Sequence, residues 1–191
     1  MTINDKQDKK IIEKAKAKPE FFSEIFDKYY DLILRFIVHR TGNIEVSKDI
    51  AAETFYKALN KINTYHPTSA PFSAWLYKIA SNEINYFFRR KRYEPVSLEA
   101  SIKDINLQIP ASVDVENELI EAQEVIDNNK KYQFAKEALM KLPDKYREVL
   151  VLRFMENLKI AEISEILGKS EGTVKSLISR GVDKLRKVFN K

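Results

Sequence analysis

The chain has 191 residues, 44% of them hydrophobic and 32% charged, which is enough apolar material for one ordinary domain or two small ones and too much for a disordered chain. It contains no cysteine, which excludes a disulfide framework, a thiolate zinc site and a cysteine nucleophile, and fits a reducing compartment. The net charge of +5 conceals a segregation: 17 Lys and Arg against 11 Asp and Glu over residues 1–93, 1 against 9 over 94–127, and 15 against 8 over 128–191.

The opening MTINDKQDKK lacks the apolar core of a signal peptide, and no apolar run approaches the ~18 residues needed to span a bilayer. A cytoplasmic protein without membrane insertion is expected. Phe22, Ile25, Phe26, Tyr29, Leu32, Ile33, Phe36 and Ile37 recur at three- and four-residue steps and predict a helix, broken at Thr41-Gly42-Asn43. A second amphipathic run carries Val46, Ile50, Thr54, Ala58, Leu59 and Ile62 inward. Asn63–Pro71, with two prolines, then reads as a loop. A third run places Phe72, Trp75, Leu76, Ile79, Ala80, Ile84, Phe87 and Phe88 at helical spacing and ends in a run of four basic residues, Arg89–Arg92. Its other face is a polar stripe of Lys78, Asn82, Asn85, Tyr86 and Arg89.

Residues 94–127 have weak periodicity and nine acids, and read as a linker with a helix starting near Val115. Beyond it, Leu139 and Leu142 close one helix. Pro143 suits the first turn of the next, which turns Tyr146, Val149 and Leu150 inward.

The stretch ILGKSEGTVKSLISR is the most informative. Ile160, Ile163, Ile166 and Leu167 form the apolar side of a short helix that stops at Gly168, a residue suited to the left-handed conformation of a C-cap. Ser170 can cap the following helix, with Glu171 favourably placed in its first turn. Val174, Leu177 or Ile178, Gly181 and Leu185 return to the core side. Helix, tight turn, helix is the helix-turn-helix pattern, whose second helix enters the major groove. Thr173, Lys175, Ser176, Ser179 and Arg180 lie off the core stripe as DNA contacts: Lys175 and Arg180 can donate to guanine or phosphate, and the two serines permit close approach. A helical hairpin with an ordinary solvated face is the alternative.

Residues 136–189 resemble region 4 of sigma-70-family transcription initiation factors, through the LP-x-x-x-R-x-V start, the E-I-x-x-I-L-G helix and the GTVKS entry to the second helix. Asp49-Ile50 with Glu53 and Phe55, then PFSAWLYKIASNEINYFFRRKR, resemble region 2 of the same family. With only these two regions in order, the chain resembles the small extracytoplasmic-function (ECF) group. The expected fold is all-α: an N-terminal segment 1–19, a region 2-like domain 20–93, a flexible acidic linker 94–127, and a region 4-like helix-turn-helix domain 128–191.

The resemblance implies a factor that binds core RNA polymerase, reads the −35 promoter element with region 4, and reads and melts the −10 element with region 2. It places a flipped −10 base at the loop, where Tyr65 and His66 are the stacking candidates, and runs the strand along Lys78, Asn82, Asn85, Tyr86, Arg89 and Arg90. Trp75 lies on the apolar stripe and reads as core. Asp49 and Glu53 match the polymerase-docking helix, although two exposed acids also read as solvation. The 34-residue linker could extend roughly 110 Å and so span two turns of duplex, about 70 Å, making the second contact intramolecular. Its acids could imitate nucleic acid in a basic polymerase channel or be a charged spacer. An anti-sigma factor is a further implied partner, and a monomer is expected, free or bound to it. Leu177 and Gly181 stand where the family often has Arg and Ala, Ala52 where Gln is common, and Asn85 where many members have Asp. Gly181 should weaken its helix by ~1 kcal/mol relative to Ala.

A sigma-like decoy that binds an anti-sigma factor without initiating transcription is the competing reading. Two histidines, no cysteine and four glycines that spell no phosphate loop leave no catalytic constellation, so no enzyme, cofactor or metal is expected.

Overall fold

The computed structural model describes residues 3–93 and 134–189. The expected acidic linker, its helix near Val115 and the domain boundary at 128 lie outside the described residues. Everything described is helix or short connection. The elements are α1 (Ile3–Ala17), α2 (Phe22–Thr41), α3 (Ile44–Lys61), α4 (Phe72–Tyr93), α5 (134–140), α6 (Asp144–Leu150), α7 (Ile160–Leu167) and α8 (Glu171–Phe189).

Local chemistry sets the boundaries of the N-terminal module. Helix α2 ends because Gly42 takes φ 71° and its N–H returns to the Val38 carbonyl. Asn43 then caps α3 by accepting from the Val46 N–H at 3.0 Å. Ile25, Ile33, Phe36, Ile37, Leu76 and Ile84 are completely buried between α2, α3 and α4, each contributing about 1.5–3 kcal/mol of burial. Phe26, expected on the inner face, is 39% exposed and stacks on Tyr30 at 4.8 Å and against Phe55 at 5.0 Å. The N-terminal segment, read from sequence without a fold of its own, is the helix α1. Its Ile11, Ile12 and Ala15 are buried and it packs on α2.

In the C-terminal module Pro143 is the N-cap of α6, one position outside the expected first turn, with its carbonyl accepting from the Tyr146 N–H. Arg147 ties the α5–α6 corner by donating to the carbonyls of Met140 and Leu142 at 2.7 and 2.9 Å. Helix α6 runs into a π-turn over Val151–Met155, in which the Glu156 N–H reaches the Val151 carbonyl. Asn157 follows at φ 53° and reverses the chain. Val149, Leu152, Ile163 and Val174 form a fully buried core. Gly181 lies against Leu150, and a Cβ there would stand 3.2–3.3 Å from three Leu150 side-chain carbons. Glycine at this position therefore permits the close approach of α8 to α6 and is not merely a weak helix former. Gly181→Ala is accordingly expected to give no net stabilisation, the ~1 kcal/mol helix gain being offset by crowding, and Gly181→Val to lose about 1–3 kcal/mol. Urea titrations of both variants would check this, and a full-sized gain for alanine would refute it.

The two modules pack against each other, α7 across α4 and the α6–π-turn segment against α2. The seam is polar. Arg40, in the last turn of α2, has 0% exposure and donates to Glu148 Oε1 at 2.6 Å and Asp144 Oδ1 at 2.7 Å. Arg147 reaches back to the Arg40 carbonyl at 2.9 Å. At the other end the fully buried Glu156 carboxylate accepts from Arg35 at 3.0 Å and the Tyr77 hydroxyl at 2.8 Å, with His39 Nδ1 at 3.4 Å.

Burial pushes the Glu156 carboxyl up, but hydrogen bonds from His39, Arg35 and Tyr77 together with the Arg35 charge outweigh it, and the group sits below its ordinary value. A carboxyl depressed in the folded state stabilises above its unfolded pKa of ~4.3 and loses that contribution as pH falls through the folded value. The seam is therefore expected to hold at neutral pH and to loosen below about pH 4. Small-angle scattering across that range would show the loosening, and Glu156→Gln should blunt its pH dependence.

Candidate nucleic-acid interface

The helix-turn-helix is built by two caps. Gly168 closes α7 at φ 61°, with its own N–H and that of Lys169 returning to the Ser164 carbonyl, the latter at 3.1 Å. The Ser164 hydroxyl donates to the Lys169 carbonyl. Ser170 then starts α8, its Oγ accepting from the Thr173 N–H at 3.3 Å and sharing a hydrogen bond with the Thr173 hydroxyl at 2.9 Å. Val174 is fully buried, while Leu177 and Ile178 pack on the core at half exposure. Thr173, Lys175, Ser176, Ser179 and Arg180 are all exposed. Lys175 is 4.0 Å from Glu171, an exposed pair one turn apart that leaves the ammonium available to a phosphate. Leu177 and Gly181 both turn inward, so the family's Arg and Ala at these places are replaced by residues that serve packing.

On the N-terminal module the face of α4 presents Lys78, Asn82, Asn85, Tyr86, Arg89 and Arg90 to solvent. The Arg89 guanidinium stands 5.6 Å from the centre of the Tyr86 ring. Asn85 is also engaged at the seam, its Oδ1 accepting from Arg40 at 3.3 Å. At the N-terminal end of this stripe is a cavity of about 240 Å³ lined by Tyr65, His66, Pro71, Trp75 and Lys78 together with Glu165 from α7.

The two loop aromatics differ in placement. His66 is exposed. Tyr65 is 6% exposed, its ring edge-on to Phe72 at 5.0 Å and beside Trp75 at 5.2 Å. Burial, then the charges of Asp8 and Glu165, push its hydroxyl up. Trp75, read as core from its stripe, is half-buried and lines the cavity. Phe72 and Tyr65 pack against its ring at 5.4 and 5.2 Å. Asp49 and Glu53 are exposed on α3, with Glu53 3.1 Å from Lys57. Lys57 is in turn held by Glu83 of α4 at 2.5 Å, and this hydrogen bond, set against desolvation and joined by Glu53, raises the Lys57 pKa.

Sequence reasoning missed the seam residues Arg35, Arg40, Glu148 and Glu156, and the α7 residue Glu165. An arginine in the last turn of a helix reads as complementing the helix dipole, so Arg40 carried no sign of its burial.

The fold thus defines a two-module helical protein whose second module is a helix-turn-helix with an exposed face carrying Lys175 and Arg180. Residues 25–93 match sigma-70 region 2, and residues 135–185 match sigma-70 region 4. The ECF RNA polymerase sigma factor SigW of Bacillus subtilis is 33% identical over 179 residues, covering 94% of both chains. The ECF RNA polymerase sigma factor BldN of Streptomyces coelicolor is 28% identical over 180 residues, which are 94% of this chain and 64% of that protein. The solved structure of the sigma factor RpoE with the anti-sigma factor NepR from Bartonella quintana shares the fold at a TM-score of 0.67 and 20% identity, covering 88% of this chain and 96% of that one. The chain belongs to the sigma-70 family of RNA polymerase sigma factors, in its ECF group. Sigma factors are transcription regulators and not enzymes. Among the described residues no helix is long and apolar enough to cross a membrane.

Proposed function

We propose that this chain, acting in the cytoplasm as a monomer, binds core RNA polymerase and directs it to a particular class of promoters, reading the −35 element with α8 and reading and melting the −10 element with α4 and the preceding loop. The observation that carries the reading is the pairing of two exposed reading surfaces on separate modules. Thr173, Lys175, Ser176, Ser179 and Arg180 suit the major groove of a duplex. The stripe from Lys78 to Arg90, ending at a cavity lined by the half-buried Trp75 and by His66, suits an unpaired strand with one base turned out.

Asp49 and Glu53 supply an acidic patch on the opposite helix α3 for polymerase docking. Glu165 shares the cavity in the packed arrangement, so α7 must withdraw from α4 before a base can enter. An anti-sigma factor that keeps the modules together would hold the factor inactive; RpoE of Bartonella quintana, which shares this fold, is solved in complex with the anti-sigma factor NepR.

Run-off transcription with core polymerase on a genomic fragment library tests the reading. Promoter-specific transcripts are expected. A stable complex with core polymerase or an anti-sigma factor that yields no transcript from any fragment would decide for the decoy.

A further inference from the structure

Helix α1 lies before the part of the chain that matches region 2, and nothing in that match gives it a task. Its position is nonetheless tightly specified. Ile11, Ile12 and Ala15 are buried, Asp8 pairs with Lys28 at 2.6 Å, and Lys14 pairs with Glu24 at 2.8 Å, so α1 is fixed to α2 along its length. Its last turn reaches the short 3-10 turn Ile62–Thr64, at the entrance to the loop. There Lys16 Nζ donates to the Tyr65 carbonyl at 2.6 Å, across 49 residues of sequence, and stands 5.8 Å from the centre of the Tyr65 ring.

Tyr65 is the residue at which the backbone leaves the 3-10 turn for extended geometry, with φ −69° and ψ 127°. The next residue, His66, lines the cavity with Trp75. A charge-assisted hydrogen bond to the Tyr65 carbonyl therefore fixes the origin of the loop, while Phe72 and Trp75 hold the Tyr65 ring. The direction in which His66 departs is set by both.

We infer that Lys16 is a positioning residue for promoter recognition: through the Tyr65 carbonyl it holds the His66 loop in the geometry that receives an unpaired −10 base. The inference rests on the proposed reading of that loop and cavity. Preorganisation of this kind matters because a displacement of about 1 Å at a binding group can lower the rate of the step it serves by up to ~100-fold.

The test uses holoenzyme assembled from core polymerase and the full chain, and a single-stranded oligonucleotide selected by the wild-type holoenzyme from a random pool. Affinities are measured for that strand and for versions made abasic at each position in turn. Lys16→Met is expected to weaken strand binding about tenfold and to abolish the penalty of the abasic substitution at the captured base, while penalties elsewhere persist. Lys16→Arg, which keeps a donor, should restore both. Loss of general stability would lower all positions together and would not erase one base's contribution.

Lys16→Met binding the strand with wild-type affinity and an unchanged abasic profile would overturn the inference alone. A wild-type holoenzyme that selects no strand, or whose binding ignores every abasic position, would overturn the loop reading and the inference with it. A uniform loss across all positions in Lys16→Met, uncorrected by Lys16→Arg, would also refute a positioning role.

Discussion

Replacing Arg40 with methionine is expected to cost about 3–5 kcal/mol in the packing of the two modules. The guanidinium is fully buried and lies 2.6 Å from Glu148, whose side chain is itself nearly buried, and 2.7 Å from Asp144. Removing it strands a carboxylate in a site with little water, and the cost of that unpaired charge exceeds what the intact pair contributes. Buried apolar residues of both modules belong to one cluster that the substitution leaves in place, so the loss should appear as a weakened seam before it appears as unfolding. The absence of native cysteine allows one labelled cysteine in each module, and energy transfer between the labels reports the separation. Arg40→Met combined with Glu148→Met should recover much of the loss, because the second change removes the stranded charge. Unchanged energy transfer in Arg40→Met would show that the pair does not hold the seam.

Arg180→Ala and Lys175→Ala are expected to weaken promoter-specific transcription in distinguishable ways. Both side chains are exposed on the first three turns of α8, on the surface proposed to enter the groove. An arginine paired with a guanine edge contributes about 1–3 kcal/mol of discrimination at one base pair. Its loss would relax specificity there and spare the rest of the site. A lysine on a phosphate contributes to every sequence alike, and its removal lowers the slope of log affinity against log salt by about one. Salt titrations on the selected promoter and on single-base variants separate the roles, one residue at a time. If neither substitution altered affinity, specificity or salt slope, α8 would not be the reading helix.

How much of this was visible in the sequence depended on the range of the interactions. Gly168 and Ser170 act on neighbours within five residues, so the turn and the exposed face of α8 were legible from spacing alone. The α2 boundary at Gly42 was legible for the same reason. The seam was not. Arg40 and Glu148 are 108 residues apart, and locally Arg40 reads as a charge complementing the end of its helix and Glu148 as an ordinary polar position. Trp75 packs against the core as its stripe suggests, but a stripe gives the average direction of a face and not the extent to which a neighbour covers it, so its share in the cavity was not legible. Helix α1 was passed over because its apolar residues are few and set among lysines, and its partner surface exists only after α2 and the 3-10 turn have folded.

The charges along the seam bear on what happens once it has opened. Two faces joined by leucines would, when parted, present adhesive patches and invite aggregation. Arg35, Arg40, Glu148 and Glu156 would be wetted by solvent as the faces part, and hydration returns part of what the broken ion pairs lose, while the apolar contact of α7 on α4 would be exposed beside them. The charges thus lower the cost of parting the joint and set its closing register, while the apolar part of the same joint supplies the pull that brings the modules back together.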